Sequence, residues 1–171
     1  MNDQPSNRLE RWLASYGTDV LKMCYVYLSD YALAQDAMQD TFLKVWRKMD
    51  TFRGKTAQEE KAWILRIAVN TCKDYHRTAW MRRVSLEDEM ESLPQPISPI
   101  TPSTRALFAA VMALPARLKQ AVWLYHYENL NQSECAALLG ISRTAFQKRL
   151  ARAYALLHDQ LEGRCSFDET F

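Results

Sequence analysis

The sequence predicts an all-α protein in which two small helical domains are joined by an extended acidic linker. Helix breakers are scarce, since the 171 residues include four glycines and six prolines, and apolar residues recur with a helical period over most of the chain. The interval 85–104 holds four of the six prolines and no Lys or Arg, which is typical of a linker. We therefore expect domains at residues 1–84 and 105–161, with a tail at residues 162–171.

Charge is segregated along the chain, although the net charge is only +2. Residues 44–83 carry +7 and residues 105–152 carry +5, whereas the interval 84–104 between them carries −4. Two basic blocks separated by an acidic segment indicate two surfaces that bind a polyanion such as nucleic acid. The hydrophobic content of 48% is enough for one modest core or two small ones.

The cysteines and histidines form no recognisable catalytic or metal motif. Cys24, Cys72, Cys135 and Cys165 are widely spaced, without the C-x-x-C pairs of a zinc site. Cys72 and His76 share a helix face, which leaves a metal site as a rival hypothesis, but no third or fourth ligand lies near them in sequence. Because no histidine has a nucleophile at an informative spacing, we expect no metal, no cofactor, no small-molecule substrate and no enzymatic activity.

The first domain is expected to begin with two long helical segments. Apolar spacing over residues 8–29 predicts a helix that is interrupted near Gly17, or two helices. The next helix is predicted from about Ala32 to Met49, with Trp46 on its inward face. Its acidic residues come early and its cations late, as the helix dipole favours.

A third helix, residues 61–83, has a packing face and a charged face. Its outward row lies at spacings i, i+4, i+7 and i+11 and consists of Arg66, Asn70, Lys73 and Arg77. Long cations neutralise phosphates and an amide can hydrogen-bond a base edge, so this row suits a nucleic-acid strand. An ordinary solvated helix face is the alternative interpretation.

A connector at residues 50–58 leads into this basic helix and can touch whatever the helix binds. It contains Phe52 and Arg53, and Trp63 follows shortly after it. Aromatic rings beside cations can stack on single-stranded bases. The alternative is that Phe52 and Trp63 are both core residues.

The second domain contains the most specific local signal, a helix-turn-helix. Asn131 and Glu134 have the spacing of a capping box, Gly140 ends the helix they begin, and Ser142 caps the next helix. A structural hairpin with a solvated basic face is the alternative. The outward residues of the last helix are placed to contact a DNA duplex, with Arg143, Thr144, Gln147 and Lys148 near base edges and Arg149 and Arg152 near backbone phosphates.

Over residues 8–158 the chain resembles the bacterial RNA polymerase sigma factors of the extracytoplasmic-function group. The resemblance implies sigma region 2 in the first domain, sigma region 4 in the second, and promoter-specific transcription initiation as the function. Four segments match in order: residues 36–46 (DAMQDTFLKVW), residues 61–71 (KAWILRIAVNT), the acidic linker, and residues 130–142 (LNQSECAALLGIS) with the helix that follows.

The resemblance also implies a role for each segment. The first would dock on the clamp helices of the polymerase β′ subunit, the basic helix and connector would hold the unwound minus-10 strand with one base flipped out, and the linker would run toward the catalytic channel. The helix-turn-helix would read the minus-35 duplex. The implied residues are Gln39, Asp40, Phe42 and Lys44 for polymerase, Phe52, Arg53, Trp63, Arg66, Asn70, Lys73 and Arg77 for minus-10, and Arg143, Thr144, Gln147, Lys148, Arg149 and Arg152 for minus-35.

The partners implied by the resemblance are core RNA polymerase, through its β′ clamp helices and β flap, promoter DNA, and an anti-sigma factor. Without a signal-peptide pattern or a long apolar run, we expect a soluble cytoplasmic protein, which an anti-sigma factor could hold at the inner membrane face. A free-standing helix-turn-helix regulator that binds DNA without polymerase is the competing function. Two residues depart from the family pattern, because Phe146 and Cys135 stand where aliphatic residues are commoner.

Overall fold

The computed structural model describes residues 5–83, 102–128 and 130–165, and these residues are almost entirely helical. The all-α prediction is confirmed, and the described helices fall into two compact units. Most of the predicted linker and the end of the predicted tail lie outside the described residues. The helices are α1 (Pro5–Leu28), α2 (Tyr31–Lys48), a short 3₁₀ turn (Met49–Thr51), α3 (Ala57–Arg83), α4 (Pro102–Ala113), α5 (Ala116–Tyr127), α6 (Gln132–Leu139) and α7 (Arg143–Cys165).

Helix α1 runs without a break from Pro5 to Leu28, so the predicted interruption near Gly17 was wrong. A glycine inside a helix costs about 1 kcal/mol relative to alanine. Helix α1 packs along both α2 and α3, and tertiary packing of this kind outweighs a weak local propensity.

A tight turn joins α1 to α2. Ser29 has a left-handed backbone with φ 57°, and its N–H donates to the carbonyl oxygen of Tyr25 at 2.8 Å. Asp30 then caps α2, because its carboxylate accepts a hydrogen bond from the N–H of Leu33 at 2.9 Å. These local contacts set the start of α2 at Tyr31.

The core of the first unit lies between its three helices. Trp12 is the bulkiest of its fully buried side chains. Complete burial of an aliphatic side chain contributes about 1.5–3 kcal/mol, so this interior is the main source of stability for the unit. Its other fully or almost fully buried members include Val20, Met23, Cys24, Ala37, Val45, Ile64, Leu65, Ala68 and Val69.

In the second unit, α7 packs against α4, α5 and α6. Its buried stripe of Phe146, Leu150 and Ala153 is the inward face that supports the helix-turn-helix.

Helix α4 begins at Pro102, so the predicted linker extended too far into the second unit. Proline suits the first turn of a helix. Helix α7 likewise continues to Cys165, into the predicted tail. Among the described residues, no helix has the length and apolar character needed to cross a membrane.

Candidate DNA-binding and docking surfaces

The connector that enters α3 is held in place by hydrogen bonds to its own backbone. Thr56 and Glu59 cap the helix reciprocally: the Thr56 hydroxyl accepts from the Glu59 N–H at 3.2 Å, and Glu59 Oε2 accepts from the Thr56 N–H at 3.0 Å. The same oxygen accepts from the N–H of Lys55 at 2.8 Å. The backbone N–H groups of Lys55 and Thr56 hold the pKa of the Glu59 carboxyl below its usual range. The connector therefore has a defined shape in the free protein.

Gly54 lies against the tip of the Phe52 ring, at Cζ and Cε2. A Cβ atom at position 54 would lie 2.3 Å from Phe52 Cζ and 2.9 Å from the Cβ of Glu59, so the close approach requires glycine. Next to it, the guanidinium of Arg53 donates to the carbonyl oxygens of Asp50 and Phe52. Arg53 remains exposed, and its charge lies on the surface of the connector.

Phe52 itself is part of the core. Its side chain is 8% exposed, and its ring centroid lies 5.6 Å from that of Trp12 and 5.3 Å from that of Trp63. The Arg8 guanidinium covers this cluster, 4.5 Å from the Trp12 ring centroid. The structure contradicts the prediction that Phe52 stacks on a base, because its ring has almost no free face, and the core alternative holds. Trp63 packs in the same cluster but stays partly exposed.

The outward row predicted on α3 faces away from the core, and we call its three cations and one amide, Arg66, Asn70, Lys73 and Arg77, the cationic row. All four of its members are exposed, while the opposite side of α3 packs against α1 and α2. The Arg77 guanidinium lies 3.7 Å from the Asp74 carboxylate in an exposed pair, which is a weak interaction in water. From Arg66 to Arg77 the row covers about 16 Å of helix, a length on which several nucleotides of a strand can be placed.

Three of the four residues predicted to dock on polymerase contact the rest of the unit. Phe42 is 6% exposed and belongs to the core, which contradicts its predicted role as a direct contact. Asp40 accepts a hydrogen bond from the Tyr75 hydroxyl at 2.6 Å, and Lys44 Nζ donates to a threonine hydroxyl on α3 at 3.1 Å. Gln39 is exposed. Asp40 and Lys44 therefore bind α2 to α3.

The pairing of Asp40 with Tyr75 is reflected in the acidity of the phenol. Burial and the hydrogen bond to the Asp40 carboxylate raise the pKa of Tyr75 well above its usual value. The hydroxyl therefore stays protonated and keeps donating across the α2–α3 contact. Because Tyr75 lies on the helix that carries the cationic row, this contact helps to fix the orientation of that row.

Sequence reasoning missed two exposed apolar residues on α2. Leu43 is 54% exposed and Trp46 is 44% exposed, so the prediction that Trp46 points inward was wrong. Together with Gln39 they lie at i, i+4 and i+7, on one side of the helix. In the sequence, Leu43 is an apolar residue that lies outside the apolar stripe of α2. This departure from the helical pattern could have identified an interaction surface on α2. Grouped exposed apolar side chains mark interaction sites, and we call Gln39, Leu43 and Trp46 the α2 face.

The helix-turn-helix has the caps that its sequence predicts. The Asn131 side chain accepts from the N–H groups of Ser133 and Glu134 at 2.9 and 3.0 Å, and Glu134 Oε2 accepts from the N–H of Asn131 at 2.7 Å. Gly140 ends α6 in the left-handed conformation, with φ 69°. The Ser142 hydroxyl accepts a backbone N–H of the first turn of α7 at 3.1 Å. The capping box and the turn are confirmed.

The N-terminal turns of α7 present the predicted polar and cationic side chains. Phe146 is fully buried despite its size, so it anchors α7 and leaves the outer face free. No acidic residue occurs between positions 135 and 158. A face of this charge suits the major groove of DNA. Its exposed members are Arg143, Thr144, Gln147, Lys148 and Arg152, and Arg149 is partly exposed.

A side-chain hydrogen bond joins the two helices of the motif. Gln147 Nε2 donates to Gln132 Oε1 at 2.9 Å. Gln132 is the first residue of α6 and lines an open cleft with Tyr125 and Arg143. Sequence reasoning did not select Gln132, because nothing in the spacing shows that it touches a candidate base-reading residue.

The structure does not assemble a metal site around Cys72 and His76. Cys72 is fully buried, and its interaction with Cys24 together with burial raises the pKa of its thiol. His76 is exposed and packs edge-on against Tyr27, with ring centroids 5.8 Å apart. Over residues 5–83, 102–128 and 130–165, no three His, Cys, Asp or Glu side chains are grouped to hold a metal ion.

Two protein-family models match the chain, one on each helical unit. Sigma-70 region 2 matches residues 12–82, and Sigma-70, region 4 matches residues 104–157. A regulator that binds DNA without polymerase has no need of region 2. The competing function, a free-standing helix-turn-helix regulator, is therefore set aside.

Individual relatives support the same family. The chain is 28% identical over 142 residues to the ECF RNA polymerase sigma-E factor of Haemophilus influenzae, with 74% of each chain covered. It is 32% identical over 138 residues to the RNA polymerase sigma-E factor of Streptomyces coelicolor, covering 77% of this chain and 73% of the relative.

Solved structures show the same fold. The sigma factor RpoE of Bartonella quintana, crystallised with the anti-sigma factor NepR, matches with a TM-score of 0.74 at 21% identity, over 91% of this chain and 98% of that one. CnrH, solved with the cytosolic domain of CnrY, matches with a TM-score of 0.65 at 21% identity, over 92% and 90%.

The two matched regions occur in the order in which the sequence resemblance placed them, and each covers most of a helical unit. The matches therefore place α2, α3 and the helix-turn-helix within one protein family. The chain belongs to the extracytoplasmic-function group of RNA polymerase sigma factors, which bind core polymerase and direct promoter-specific transcription initiation.

Proposed function

We propose that this sigma factor uses three surfaces: the α2 face for core polymerase, the connector with the cationic row of α3 for the minus-10 strand, and the N-terminal turns of α7 for the minus-35 duplex. The observation that carries the proposal is the placement of the candidate DNA-binding cations. On α3 and on α7 they lie at the surface, each on the side of its helix opposite the packed core.

At the minus-10 element, the unwound non-template strand lies along α3. Arg66, Lys73 and Arg77 neutralise phosphates, and Asn70 offers an amide to a base edge. Extruding one base costs a few kcal/mol of lost stacking and pairing. A connector that is already ordered by Glu59 adds little further entropy cost when it receives that base, which supports its role as the base-holding loop.

Two aromatic residues have different parts in this proposal. Phe52 packs against the connector at Gly54. It does not touch DNA, because its ring is buried against Trp12 and Trp63. Trp63 is partly exposed and is available for contact with the strand. Arg53, on the surface of the connector, supplies a cation beside the extruded base.

At the minus-35 element, α7 enters the major groove with its N-terminal turns. Arg143, Thr144, Gln147 and Lys148 contact base edges, whereas Arg149 and Arg152 contact the backbone. Contacts of the second kind set the register of the helix and carry no sequence information. The capping box of α6 and the buried Phe146 support this assignment, because they fix the position of α7 within its unit.

On the polymerase side, the α2 face docks on the clamp helices of the β′ subunit, and region 4 contacts the β flap. Leu43 and Trp46 supply apolar area, and Gln39 supplies a polar rim. Asp40 and Lys44 act indirectly by holding α2 against α3. The polymerase performs the chemistry of RNA synthesis, and this chain performs no catalytic step of its own.

An anti-sigma factor is the proposed regulator. Two structures with the same fold were solved with protein partners, one of them an anti-sigma factor. The exposed apolar α2 face gives such a partner a surface to cover, in competition with polymerase. We place the complex in the cytoplasm, with the anti-sigma factor at the inner face of the membrane.

The test is in vitro transcription with purified core polymerase on a library of promoter fragments, with and without the full chain. Defined start sites that appear only with the chain, and share minus-10 and minus-35 sequences, are the expected result. Arg143→Ala should reduce selection at minus-35 while leaving minus-10 selection intact, and Arg77→Ala should do the reverse. If both variants change the same element, the division between α3 and α7 is incorrect.

A further inference from the structure

We propose that Gln132 positions the side chain of Gln147 so that Gln147 recognises adenine at one position of the minus-35 element. The inference rests on the proposed function, in which α7 reads the duplex. It starts from the hydrogen bond in which Gln147 Nε2 donates to Gln132 Oε1 at 2.9 Å. Gln132 is thus a positioning residue, and Gln147 makes the base contact.

The chemistry of the amide explains the preference for adenine. Gln147 Nε2 carries two hydrogens, and the bond to Gln132 uses one of them. The second hydrogen can donate to adenine N7 while Oε1 accepts from the adenine N6 amino group, which is the bidentate pairing of glutamine with adenine in the major groove. The bond to Gln132 and the bond to N7 are therefore compatible.

Holding the amide also fixes which end faces which base atom. An unrestrained glutamine can rotate its terminal amide and present oxygen where nitrogen stood, so it fits bases other than adenine. While Gln132 Oε1 accepts from Gln147 Nε2, that nitrogen is kept on the α6 side of the pair. The order of donor and acceptor along the groove is then set before DNA binds, which favours adenine and disfavours the alternatives.

Gln132 is suited to this role because its own backbone is fixed. It is the first residue of α6, directly after the Asn131 cap, and the helix it begins packs against α7. Buried Leu138 and Leu139 anchor the far end of α6. Gln132 is itself only partly exposed, so it has fewer orientations available than a free surface side chain.

The experiment measures base preference in holoenzyme made from core polymerase and the full chain. Promoters share one minus-10 element and are randomised over the minus-35 element, and bound fragments are sequenced. The variants are Gln147→Ala, Gln132→Ala, the double variant and Gln132→Glu. The glutamate keeps an oxygen that can accept from Gln147 but has no N–H to give to a phosphate, so it separates positioning from direct DNA contact.

The wild type is expected to prefer adenine by about 5- to 150-fold at one minus-35 position, the range for a bidentate contact. Gln147→Ala should abolish that preference. Gln132→Ala should lower the adenine preference at that minus-35 position, and at no other, by about twofold or more. Twofold corresponds to about the smallest coupling found between residues in contact. Gln132→Ala should change nothing further once Gln147 is alanine, and Gln132→Glu should retain the adenine preference even if overall affinity falls.

Several results would overturn the inference. One is a Gln132→Ala variant that binds all sequences more weakly by the same factor, which is the behaviour of a phosphate contact. A second is a Gln132→Ala substitution that changes base preference equally in the wild type and in the Gln147→Ala background. A third is a wild type whose preference for adenine does not depend on Gln147. The proposed function fails differently, with no minus-35 selection in the wild type and none lost in Arg143→Ala. Thermal unfolding of each variant shows whether the second unit remains folded.

Discussion

Replacing Gly54 with alanine should destabilise the first unit by about 1–3 kcal/mol, the usual cost of forcing an extra methyl group into a packed site. The new Cβ would lie 2.3 Å from Phe52 Cζ, 2.7 Å from Phe52 Cε2 and 2.9 Å from the Cβ of Glu59. All three distances are far inside van der Waals contact. The ring cannot withdraw, since Trp12 and Trp63 lie 5.6 and 5.3 Å away between centroids, so the connector itself must move.

Thermal unfolding of the full chain, followed by circular dichroism, measures the effect. For a unit of this size 1 kcal/mol corresponds to about 4–8 °C, so the midpoint of the first unit should fall by about 4 °C or more. Gly17→Ala is a matched control in the same unit, because its Cβ would meet only Leu13, at 3.4 Å. That variant gains up to about 1 kcal/mol of helix propensity, and its midpoint should rise.

The smaller side chain of Phe52→Leu provides a second check on the contact with Gly54. In that background the added methyl group has more room, so the penalty of Gly54→Ala should shrink. Additive effects of the two substitutions would mean that positions 52 and 54 do not touch. A Gly54→Ala protein with an unchanged midpoint would refute the reasoning directly, and its minus-10 selection should then be normal as well.

Three further outcomes follow from single side chains. Leu43→Ala should weaken binding to core polymerase by about tenfold or more, with no change in the unfolding midpoint. Phe42→Ala, at the buried neighbouring position, should instead lower the free energy of unfolding by about 3–5 kcal/mol. If Leu43→Ala lowers stability and leaves polymerase binding unchanged, the docking face lies elsewhere. Asn131→Ala should destabilise the second unit by about 1 kcal/mol through loss of the α6 cap, and Ser133→Ala, at an exposed position two residues on, should leave urea unfolding unchanged. Burial raises the pKa of the Cys135 thiol from 9.0 to about 12. The thiol therefore loses its proton at a lower pH in the unfolded chain than in the folded protein, and the free energy of unfolding should fall as pH rises from 9.0 toward 12. Cys135→Ala should flatten that part of the curve, and an identical slope in both proteins would contradict the assignment.

The helix-turn-helix was predictable because its determinants are local. The capping box of Asn131 and Glu134, the left-handed Gly140 and the Ser142 cap each act over three or four residues, so spacing alone identifies them. The cationic row of α3 was predictable for a related reason. Helical periodicity fixes which residues share a face, and that information lies entirely within one element.

Contacts between helices could not be predicted in the same way. Periodicity groups Phe42 with the apolar residues of α2, but only the packed structure shows that Trp46, assigned to the same stripe, lies beyond the edge that α1 and α3 cover. Phe52 gave no signal of its burial, because the aromatic rings around it come from α1 and α3. Gly17 shows the same limit, since tertiary packing keeps α1 continuous through a residue of low helix propensity.

The contacts that hold the connector involve some of its residues and leave others open to substitution. Its fixed points are the Phe52 ring against Gly54 and the Glu59 carboxylate that holds the backbone N–H of Lys55. The side chains of Arg53 and Lys55 are both exposed. The Arg53 guanidinium also donates to the carbonyl oxygens of Asp50 and Phe52, whereas the Lys55 side chain takes no part in the contacts described above. Under the proposed function, a substitution at Lys55 should therefore alter the preferred extruded base without refolding the unit.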